Sequence, residues 1–443
     1  MRNIIIIGNG ISGVTTARHI RKHSEDHITI ISAETEHFFS RTALMYIYMG
    51  HMKYESTKPY EDFFWKKNRI ELVYDFVEKI DFKSKSLQLR KSESLSYDVL
   101  VLAVGSKSNK FGWPGQDLEA VQGLYSYQDL EGMERYSPTT QNAVIVGGGL
   151  IGIEMGEMFH TRGIDVTFVV RESSFWNNVL PPEESEMINR HIRKHGFKLM
   201  LSTEIDEILD DGSGRAKGVQ LKEGGELDAQ FVGLTVGVSP NIDFLKNSEL
   251  ETGKGIKVNE YFETNQPDVY AIGDCAEFEK APADDRRPIE QVWYTGRMHG
   301  ETLAQTICGT KTAYQPGIWF NSAKFLDIEY QTYGQVSNQP DDETEEHFYW
   351  EHEKGEKSIR LVFSKSDNTL KGVNLMGVRY RHEVCDKMMR DKWPMKKVFQ
   401  NLKEANFDPE FFKKYENELV GMYNERYPNE QVKVGRKKVL GIF

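Results

Sequence analysis

The sequence predicts an α/β fold class for about the first 315 residues, followed by an α+β module. Two stretches show the same order of signals: a short apolar run, a glycine-rich turn, a helical pattern and a second apolar run. This order indicates βαβ units of a parallel sheet, whose crossover connection is right-handed by default. After about Pro316 the glycine-rich pattern stops, and segments typical of strands and then of helices follow.

The first βαβ unit carries Gly8, Gly10 and Gly13 in its turn, after the apolar run Ile4–Ile7. The first glycine permits a tight turn, the second lets the backbone approach a pyrophosphate, and the third lets the helix pack on the strand. The N-terminus of the helix then presents unpaired N–H groups to phosphates. Glu34 follows the turn by about 20 residues, where a ribose-binding carboxylate is expected. We therefore predict a dinucleotide site, with a turn kept only for packing as the alternative.

The second unit has the same frame, with Gly147, Gly149 and Gly152 in its turn. Two such units predict two Rossmann-like domains and two dinucleotides. Val170 stands where the second strand ends, so the carboxylate that would discriminate against a 2′-phosphate is absent. The next residue, Arg171, could pair with that phosphate or be a solvated arginine at the strand end. The pattern favours NADPH slightly over NADH and leaves both open.

Composition narrows the classes of function. A net charge of −11 argues against general nucleic-acid binding. No apolar run of the sequence approaches the roughly 20 residues that span a bilayer. A strand predicted almost at Met1 leaves no room for a signal peptide, so a cytoplasmic protein is expected. Cys275, Cys308 and Cys385 are widely spaced and form no Cys-x-x-Cys pair, so neither a disulfide framework nor a metal site is expected.

Four sequence blocks resemble the FAD-dependent pyridine nucleotide-disulfide oxidoreductase superfamily, over roughly residues 1–335. The blocks are residues 6–13, 100–105, 146–154 and 269–274. The resemblance implies that the first glycine turn binds FAD and that the second binds NADH or NADPH. It also implies that Gly105 and Gly273 lie at the FAD, and that Asp274 binds its ribitol or pyrophosphate region.

The branch within the superfamily is indicated by residues 36–44, Glu-His-Phe-Phe-Ser-Arg-Thr-Ala-Leu, which contain no cysteine. Disulfide reductases carry a redox-active cysteine pair in this region, and related peroxidases and oxidases carry one cysteine there. Arg41 stands about where the reactive cysteine would be. The segment is similar to that of ferredoxin and rubredoxin reductases and of the flavin part of nitrite reductases, in which the arginine contacts FAD.

Two residues are predicted to be catalytic. Glu154, in the second helix, is expected to orient the nicotinamide ring, although a carboxylate at a helix start would also complement the helix dipole. In ferredoxin reductases a lysine near flavin N5 pairs with the equivalent glutamate, and here Tyr46 stands in the place of that lysine. This departure leaves the role of Glu154 in proton handling open.

The resemblance also implies the order of the domains. A discontinuous FAD-binding domain is expected at 1–112 and 241–315, and an NAD(P)H-binding domain at 113–240. Residues 316–443 are expected to form a C-terminal α+β domain with a helical extension. Its helical pattern, from 384 to 423, is interrupted near Pro394 and Pro409.

The function that the resemblance implies is FAD-dependent NAD(P)H oxidation. A hydride would pass from the nicotinamide to flavin, and electrons would pass on to a redox protein such as ferredoxin or rubredoxin, without a redox-active cysteine. One alternative is an NADH:quinone-type reductase at the membrane surface, suggested by the basic and apolar tail at 432–443. Another is a flavin-bearing regulatory protein of the apoptosis-inducing-factor type, suggested by Tyr46, the long C-terminal module and the segment 296–301. A homodimer is a further expectation.

Overall fold

The computed structural model of the chain describes residues 1–284, 286–408, 410–411 and 413–433. The chain divides into two compact units. Unit 1 comprises residues 1–147, 158–166 and 205–316, and unit 2 comprises the described residues of 148–157, 167–204 and 317–443. The predicted α/β class is confirmed. The predicted boundaries of the three domains divide the chain differently and stay a prediction.

The helices of the described residues begin and end as follows: α1 Ile11–His23, α2 Leu44–Tyr48, α3 Phe63–Lys67, α4 Tyr127–Tyr136, α5 Leu150–His160, α6 Pro182–Lys194, α7 Trp293–Ile307, α8 His382–Arg390, α9 Met395–Asn401 and α10 Glu416–Arg426. The strands before the second glycine turn are β1 Asn3–Ile7, β2 His27–Ser32, β3 Ile70–Tyr74, β4 Val77–Asp81, β5 Ser86–Leu89, β6 Leu95–Ser96, β7 Val99–Leu102, β8 Ser106–Ser108, β9 Val121–Gln122 and β10 Asn142–Val146.

The strands after that turn are β11 Asp165–Val169, β12 Lys198–Met200, β13 Ile205–Asp210, β14 Ala216–Leu221, β15 Glu226–Asp228, β16 Phe231–Leu234, β17 Val238–Pro240, β18 Ile256–Val258, β19 Val269–Ala271, β20 Ala276–Phe278, β21 Phe320–Phe325, β22 Ile328–Gly334, β23 Glu345–Glu351, β24 Ser358–Ser364 and β25 Leu370–Met376.

In unit 1, β10 pairs in parallel with β16, and β16 with β9. Two antiparallel sheets, β4-β5-β6 and β13-β14-β15, also belong to unit 1.

The core of unit 1 is a parallel sheet in the order β19-β7-β1-β2-β3. Its central strands β1 and β7 are almost entirely apolar and buried, as strands covered on both faces must be. The carboxyl ends of β1, β7 and β19 lie side by side. The turns that follow these strands, at Gly8, Gly105 and Gly273, therefore meet at one edge of the sheet.

Helices α1 and α7 pack closely in unit 1 because glycines line their contact. A Cβ on Gly300 would lie 2.6 Å from the backbone oxygen of Ser12, and one on Gly296 would lie 3.3 Å from Ile11. Close packing thus accounts for both glycines of the segment 296–301.

The C-terminal part of unit 2 is an antiparallel sheet in the order β21-β22-β25-β24-β23, with helices against it. Its core is aromatic: the ring of Phe399 lies 4.9 Å from that of Phe348 and 4.7 Å from that of Tyr423, measured between centroids. Pro394 is the N-cap of α9, which confirms the predicted interruption there. The second proline, Pro409, and residues 434–443 of the predicted membrane-surface tail lie outside the described residues.

None of the helices in the described part of the chain combines the length and the hydropathy needed to cross a bilayer.

A buried ion pair joins helix α6 to strand β24 within unit 2. Arg360 exposes 2% of its surface and Glu184 none, and hydrogen bonds of 2.7 and 2.8 Å join the guanidinium to the carboxylate. The same guanidinium donates to Glu183 at 2.7 Å. Taking both charges out of water costs several kcal/mol each, so the pair specifies which surfaces meet more than it adds net stability.

Arg360→Met is expected to lower the free energy of unfolding by about 3–5 kcal/mol, because Glu184 is left as a buried charge without its partner. The matched control is Arg190→Met in the more exposed pair Arg190–Glu351, which should cost about 1 kcal/mol or less. Urea unfolding followed by circular dichroism measures both variants. The double variant Arg360→Met, Glu184→Leu should recover most of the loss. Equally small losses for Arg360→Met and Arg190→Met would contradict the account.

Candidate functional site

The turn after β1 is built from glycines with different surroundings. Gly8 has φ +114°, and a Cβ there would stand well inside 3.0 Å from the carbonyl oxygen of Ala103, a distance that real Cβ atoms essentially never reach. A Cβ on Gly13 would collide in the same way with the carbonyl oxygen of Gly8. Gly10 has an ordinary φ of −70°, and no described atom lies within 4 Å of where its Cβ would stand. The space beside Gly10 is therefore open to a ligand, as its predicted role requires.

Helix α1 begins directly after Gly10, its N-cap, and no described side chain caps it. Its first turn contains no acidic residue. The first N–H groups and the positive end of the helix dipole are therefore available without a competing carboxylate. These residues fit the pyrophosphate of a dinucleotide, in agreement with the FAD that the resemblance implies.

Arg41 and Glu34 form a two-pronged ion pair. The guanidinium donates to the two carboxylate oxygens at 2.7 and 2.5 Å, and to the carbonyl oxygen of Tyr125 at 2.5 Å. Burial alone would lower the pKa of Arg41, but the hydrogen bonds and the charge of Glu34 raise it. Asn9 ties the glycine turn to the same region by donating to the carbonyl oxygen of Thr35 at 2.8 Å. The structure thus brings the predicted ribose carboxylate and the predicted FAD-contacting arginine together.

Asp274 follows β19 at the same sheet edge, in a turn that Gly273 begins with φ +72°. Its carboxylate accepts hydrogen bonds from Ser106 Oγ at 3.1 Å and from the Tyr125 hydroxyl at 3.2 Å. Burial raises the pKa of Asp274, and the two hydrogen bonds and the charge of Arg41 oppose this only in part. Tyr125 therefore links Asp274 to Arg41 by contacting both.

Two residues that the sequence analysis did not identify hold this edge in place. His299 in α7 accepts the N–H of Gly273 on Nδ1 at 3.1 Å. Burial lowers the pKa of His299 to about 3, so the imidazole is neutral. Tyr125 is the second residue. Its hydroxyl packs against Gly105 so closely that a Cβ on this glycine would lie only 2.9 Å away. His299 lies in the segment 296–301, which the sequence analysis identified without assigning this residue a role, whereas Tyr125 belongs to no motif that the sequence analysis named.

The residues of the second glycine turn fall in both units and are described within each. In unit 1, Gly147 follows β10 with φ +120°, and a Cβ there would lie 2.6 Å from the carbonyl oxygen of Thr235. In unit 2, a Cβ on Gly149 would meet no described atom closer than those of Trp176, at 3.8 Å. Gly152 lies in the first turn of α5, which contains no acidic residue. A crowded first glycine and an open second glycine repeat the pattern of the first turn.

Glu154 lies in α5 and is partly buried. Burial raises its pKa to about 7, and the charge of Glu157 acts in the same direction. Glu157 itself pairs with Lys324 at 3.1 Å. A carboxyl that titrates near neutrality can take up or release a proton, which is the chemistry required of a general acid or base. The role of Glu154 at the nicotinamide stays a prediction.

The two remaining predicted residues have polar or aromatic neighbours. Arg171 follows β11 with 72% of its side chain exposed and pairs with Glu172 at 2.7 Å. This placement fits a solvated arginine, and it also fits an arginine that binds the 2′-phosphate of NADPH, so both interpretations stay open. Tyr46 lies in α2 and stacks on His51, with 6.1 Å between the ring centroids.

Comparison with known proteins gives a family match. The family described as "Pyridine nucleotide-disulphide oxidoreductase" matches residues 2–300. The NAD(P)H nitrite reductase of Bacillus subtilis (strain 168) is 26% identical over 380 residues, which are 85% of this chain and 44% of that protein. The rubredoxin-NAD(+) reductase of Acinetobacter baylyi is 29% identical over 323 residues, which are 70% of this chain and 80% of that protein. The chain spans about half the length of the nitrite reductase and of the assimilatory nitrate reductase electron transfer subunit of the same Bacillus.

Solved structures share the fold. The ferredoxin reductase for the CYP199A2 system from Rhodopseudomonas palustris superimposes with a TM-score of 0.77 at 23% identity, covering 85% of this chain and 91% of that one. At this identity the likeness concerns the fold alone.

Gly10→Ala is expected to weaken FAD binding at least about tenfold, because the added methyl group occupies the space that the pyrophosphate needs. The free energy of unfolding of the FAD-free variant should be unchanged or higher by up to about 1 kcal/mol, because alanine restricts the unfolded chain. Flavin fluorescence titration and urea unfolding of the FAD-free protein measure the two quantities. Gly421→Ala in α10 is the matched control, because no described atom lies within 4 Å of its added Cβ either. Wild-type FAD affinity in Gly10→Ala would refute the assignment of this turn.

Glu154→Gln is expected to change how stability depends on pH. The pKa of Glu154 is raised from 4.5 to about 7, so the folded state holds an extra proton in that window. Wild-type stability should therefore fall as the pH rises from about 4.5 to about 7. The variant cannot ionise at this position. Its free energy of unfolding, relative to that of the wild type, should therefore increase by on the order of 1–3 kcal/mol between pH 4.5 and 7. Unfolding measured at several pH values, with the exposed Glu131→Gln on α4 as control, tests this; parallel curves for all three proteins would count against it.

Proposed function

Since this chain belongs to the pyridine nucleotide-disulphide oxidoreductase family, we propose that it passes electrons from NADH or NADPH through FAD to a small redox protein, without a redox-active cysteine. The predictions of this superfamily, of the oxidoreductase class and of FAD with NADH or NADPH as cofactors are confirmed at the level of the family. The electron acceptor and the thiol-free route are the proposed part.

The raised pKa values of the three cysteine thiols are the main support for a route without a redox-active cysteine. Burial raises the pKa of Cys275 and of Cys385 to about 12, and it also raises the pKa of Cys308. The thiolate is the form that exchanges electrons with a disulfide, so none of the three is prepared for that chemistry. Cys275 donates instead to the carbonyl oxygens of Leu102 and Ile272, at 3.5 and 3.3 Å, in the core of unit 1.

The residues of unit 1 have separate proposed tasks toward FAD. Gly10 and the N-terminus of α1 would hold the pyrophosphate, and Glu34 would accept from the ribose hydroxyl groups. Asp274 would accept from the ribitol or lie at the pyrophosphate. Arg41 keeps the Glu34 carboxylate oriented, since it binds both of its oxygens. FAD supplies the hydride and electron chemistry when bound, and these side chains fix its position.

The nicotinamide side of the proposal is assigned to unit 2. Gly149 and Gly152 would receive the pyrophosphate of NADH or NADPH, and Glu154 would orient the nicotinamide ring. Tyr46 takes the place of the lysine of ferredoxin reductases. Burial and the charge of Glu157 raise the pKa of Glu154 to about 7, so this carboxyl can hold a proton near neutral pH.

A small redox protein is favoured as the acceptor by the relatives. One of them is named a rubredoxin-NAD(+) reductase and another a ferredoxin reductase subunit, each 29% identical to this chain. A compact one-electron partner also needs no thiol on this chain. The predicted cytoplasmic location and homodimer remain predictions beside this proposal.

Electron transfer by the FAD-loaded protein tests the proposal. With NADH or NADPH as donor, reduction of a ferredoxin or rubredoxin should be faster than reduction of a small disulfide. The variant Cys275→Ser/Cys308→Ser/Cys385→Ser should reduce ferricyanide at close to the wild-type rate at equal flavin content, because no thiol carries the electrons. Absorbance of the nicotinamide and of the acceptor measures each rate.

Three results would point elsewhere. A large loss of rate in the cysteine variant at equal flavin content would restore a thiol mechanism. Reduction of a quinone only in the presence of liposomes would favour the membrane-surface alternative. Very slow bleaching of the flavin, whatever the acceptor, would favour the regulatory alternative.

A further inference from the structure

Unit 2 contains a cluster of three metal-ligating side chains that belong to neither glycine turn. His191 and His195 lie four residues apart, at the C-terminal end of α6, and Asp327 lies in the turn between β21 and β22. Residues four apart share one face of a helix, so the two imidazoles project to the same side. One ligand atom from each residue lies within 4.8 Å of the others.

The geometry of the cluster orients the imidazole of His195 for metal binding. The His195 Nδ1 lies 3.0 Å from the carbonyl oxygen of His191, a position from which it donates. This hydrogen bond leaves Nε2 of His195 as the atom with a free lone pair, and that atom lies 3.6 Å from Asp327 Oδ1. His191 Nε2 is hydrogen-bonded to the same carboxylate oxygen. Orientation of an imidazole by a hydrogen bond to its other nitrogen is the usual arrangement around a bound metal.

A histidine–aspartate hydrogen bond that ties α6 to the turn would explain His191 alone. It does not explain a second imidazole directed at the same oxygen, with the two imidazole rings 4.3 Å apart between centroids. We propose that His191, His195 and Asp327 bind a divalent transition-metal ion of the Zn²⁺ class. This site is independent of the proposed electron transfer.

The donor set decides the class of ion. Two imidazole nitrogens and one carboxylate oxygen suit Zn²⁺ and its neighbours, whereas Mg²⁺ and Ca²⁺ prefer oxygen ligands. Zn–N and Zn–O bonds of about 2.0–2.2 Å place tetrahedral ligands somewhat over 3 Å apart, so a shift of about an ångström would close the cluster. Three protein ligands leave one position for water; Glu356, whose charge acts on both His191 and Asp327, already pairs with Lys194.

Solvent can reach the proposed metal site, which would connect two elements of unit 2. Asp327 exposes 70% of its side chain and His195 31%, so an ion can enter from solvent. His191 is almost fully buried at 3% and anchors the cluster to α6. A bound ion would cross-link α6 to the β21–β22 turn within unit 2. Metal concentration would then tune the stability of this unit.

Zinc binding to the FAD-loaded full chain tests the proposal. After removal of metal with a chelator, isothermal titration with Zn²⁺ alone should show one ion per chain, and Zn²⁺ should raise the Tm in a concentration-dependent way. His195→Gln and Asp327→Asn should each weaken binding at least about tenfold, since loss of even an outer-shell partner costs that much. Both positions are accessible and both replacements keep the side-chain size, and circular dichroism checks that the variants fold.

The matched control is His23→Gln, an exposed histidine at the end of α1, which should leave the affinity unchanged. Mg²⁺ should not replace Zn²⁺ in raising the Tm. The proposal is overturned by the absence of zinc binding to the wild type, or by wild-type affinity in both cluster variants. Equal losses in His23→Gln, or equal stabilisation by Mg²⁺, would also overturn it.

Discussion

The closeness of β1 to β7 in unit 1 is the constraint on which the candidate FAD site depends. The carbonyl oxygen of Ala103 stands so near to Gly8 that no Cβ fits, and the positive φ of Gly8 turns the chain there. The same parallel pairing aligns the ends of β7 and β19 with the end of β1. The three turns that follow these strands therefore share one edge, which is the place where open α/β sheets bind ligands.

Charged and polar groups complete this edge from distant parts of the chain. Arg41 holds Glu34 in two hydrogen bonds and contacts Tyr125, which in turn donates to Asp274. Arg41 is a permanent cation, and the family resemblance implies that disulfide reductases carry a thiol in this segment. A guanidinium can orient carboxylates and stabilise negative charge, but it cannot carry electrons. The groups at this edge are suited to positioning a cofactor, and the passage of electrons to an external acceptor is part of the proposed function.

In unit 2, helix α6 contributes side chains to two groups of polar contacts. It contributes Glu184 to the buried pair with Arg360, and it also contributes His191 and His195 to the cluster with Asp327. The more exposed pair Arg190–Glu351 adds little energy, because solvent screens it. A buried pair behaves differently, since its charges are costly unless both partners are present. Helix α6 is therefore held in a specific position by polar contacts that tolerate few substitutions.

The sequence by itself determined the features that depend on neighbours along the chain. The glycine spacings and the apolar strands are local, and they predicted the α/β class and two dinucleotide sites; the family resemblance of local blocks implied that these bind FAD and NADH or NADPH. The sequence could not predict which groups meet across the fold. Tyr125 lies 84 residues from Arg41, and Ser106 lies 168 residues from Asp274. The sequence analysis predicted no metal site, and Asp327 stands 136 residues from His191, so only the tertiary structure brought these two residues together. Such contacts are set by strand order and helix packing, which no short stretch of sequence encodes.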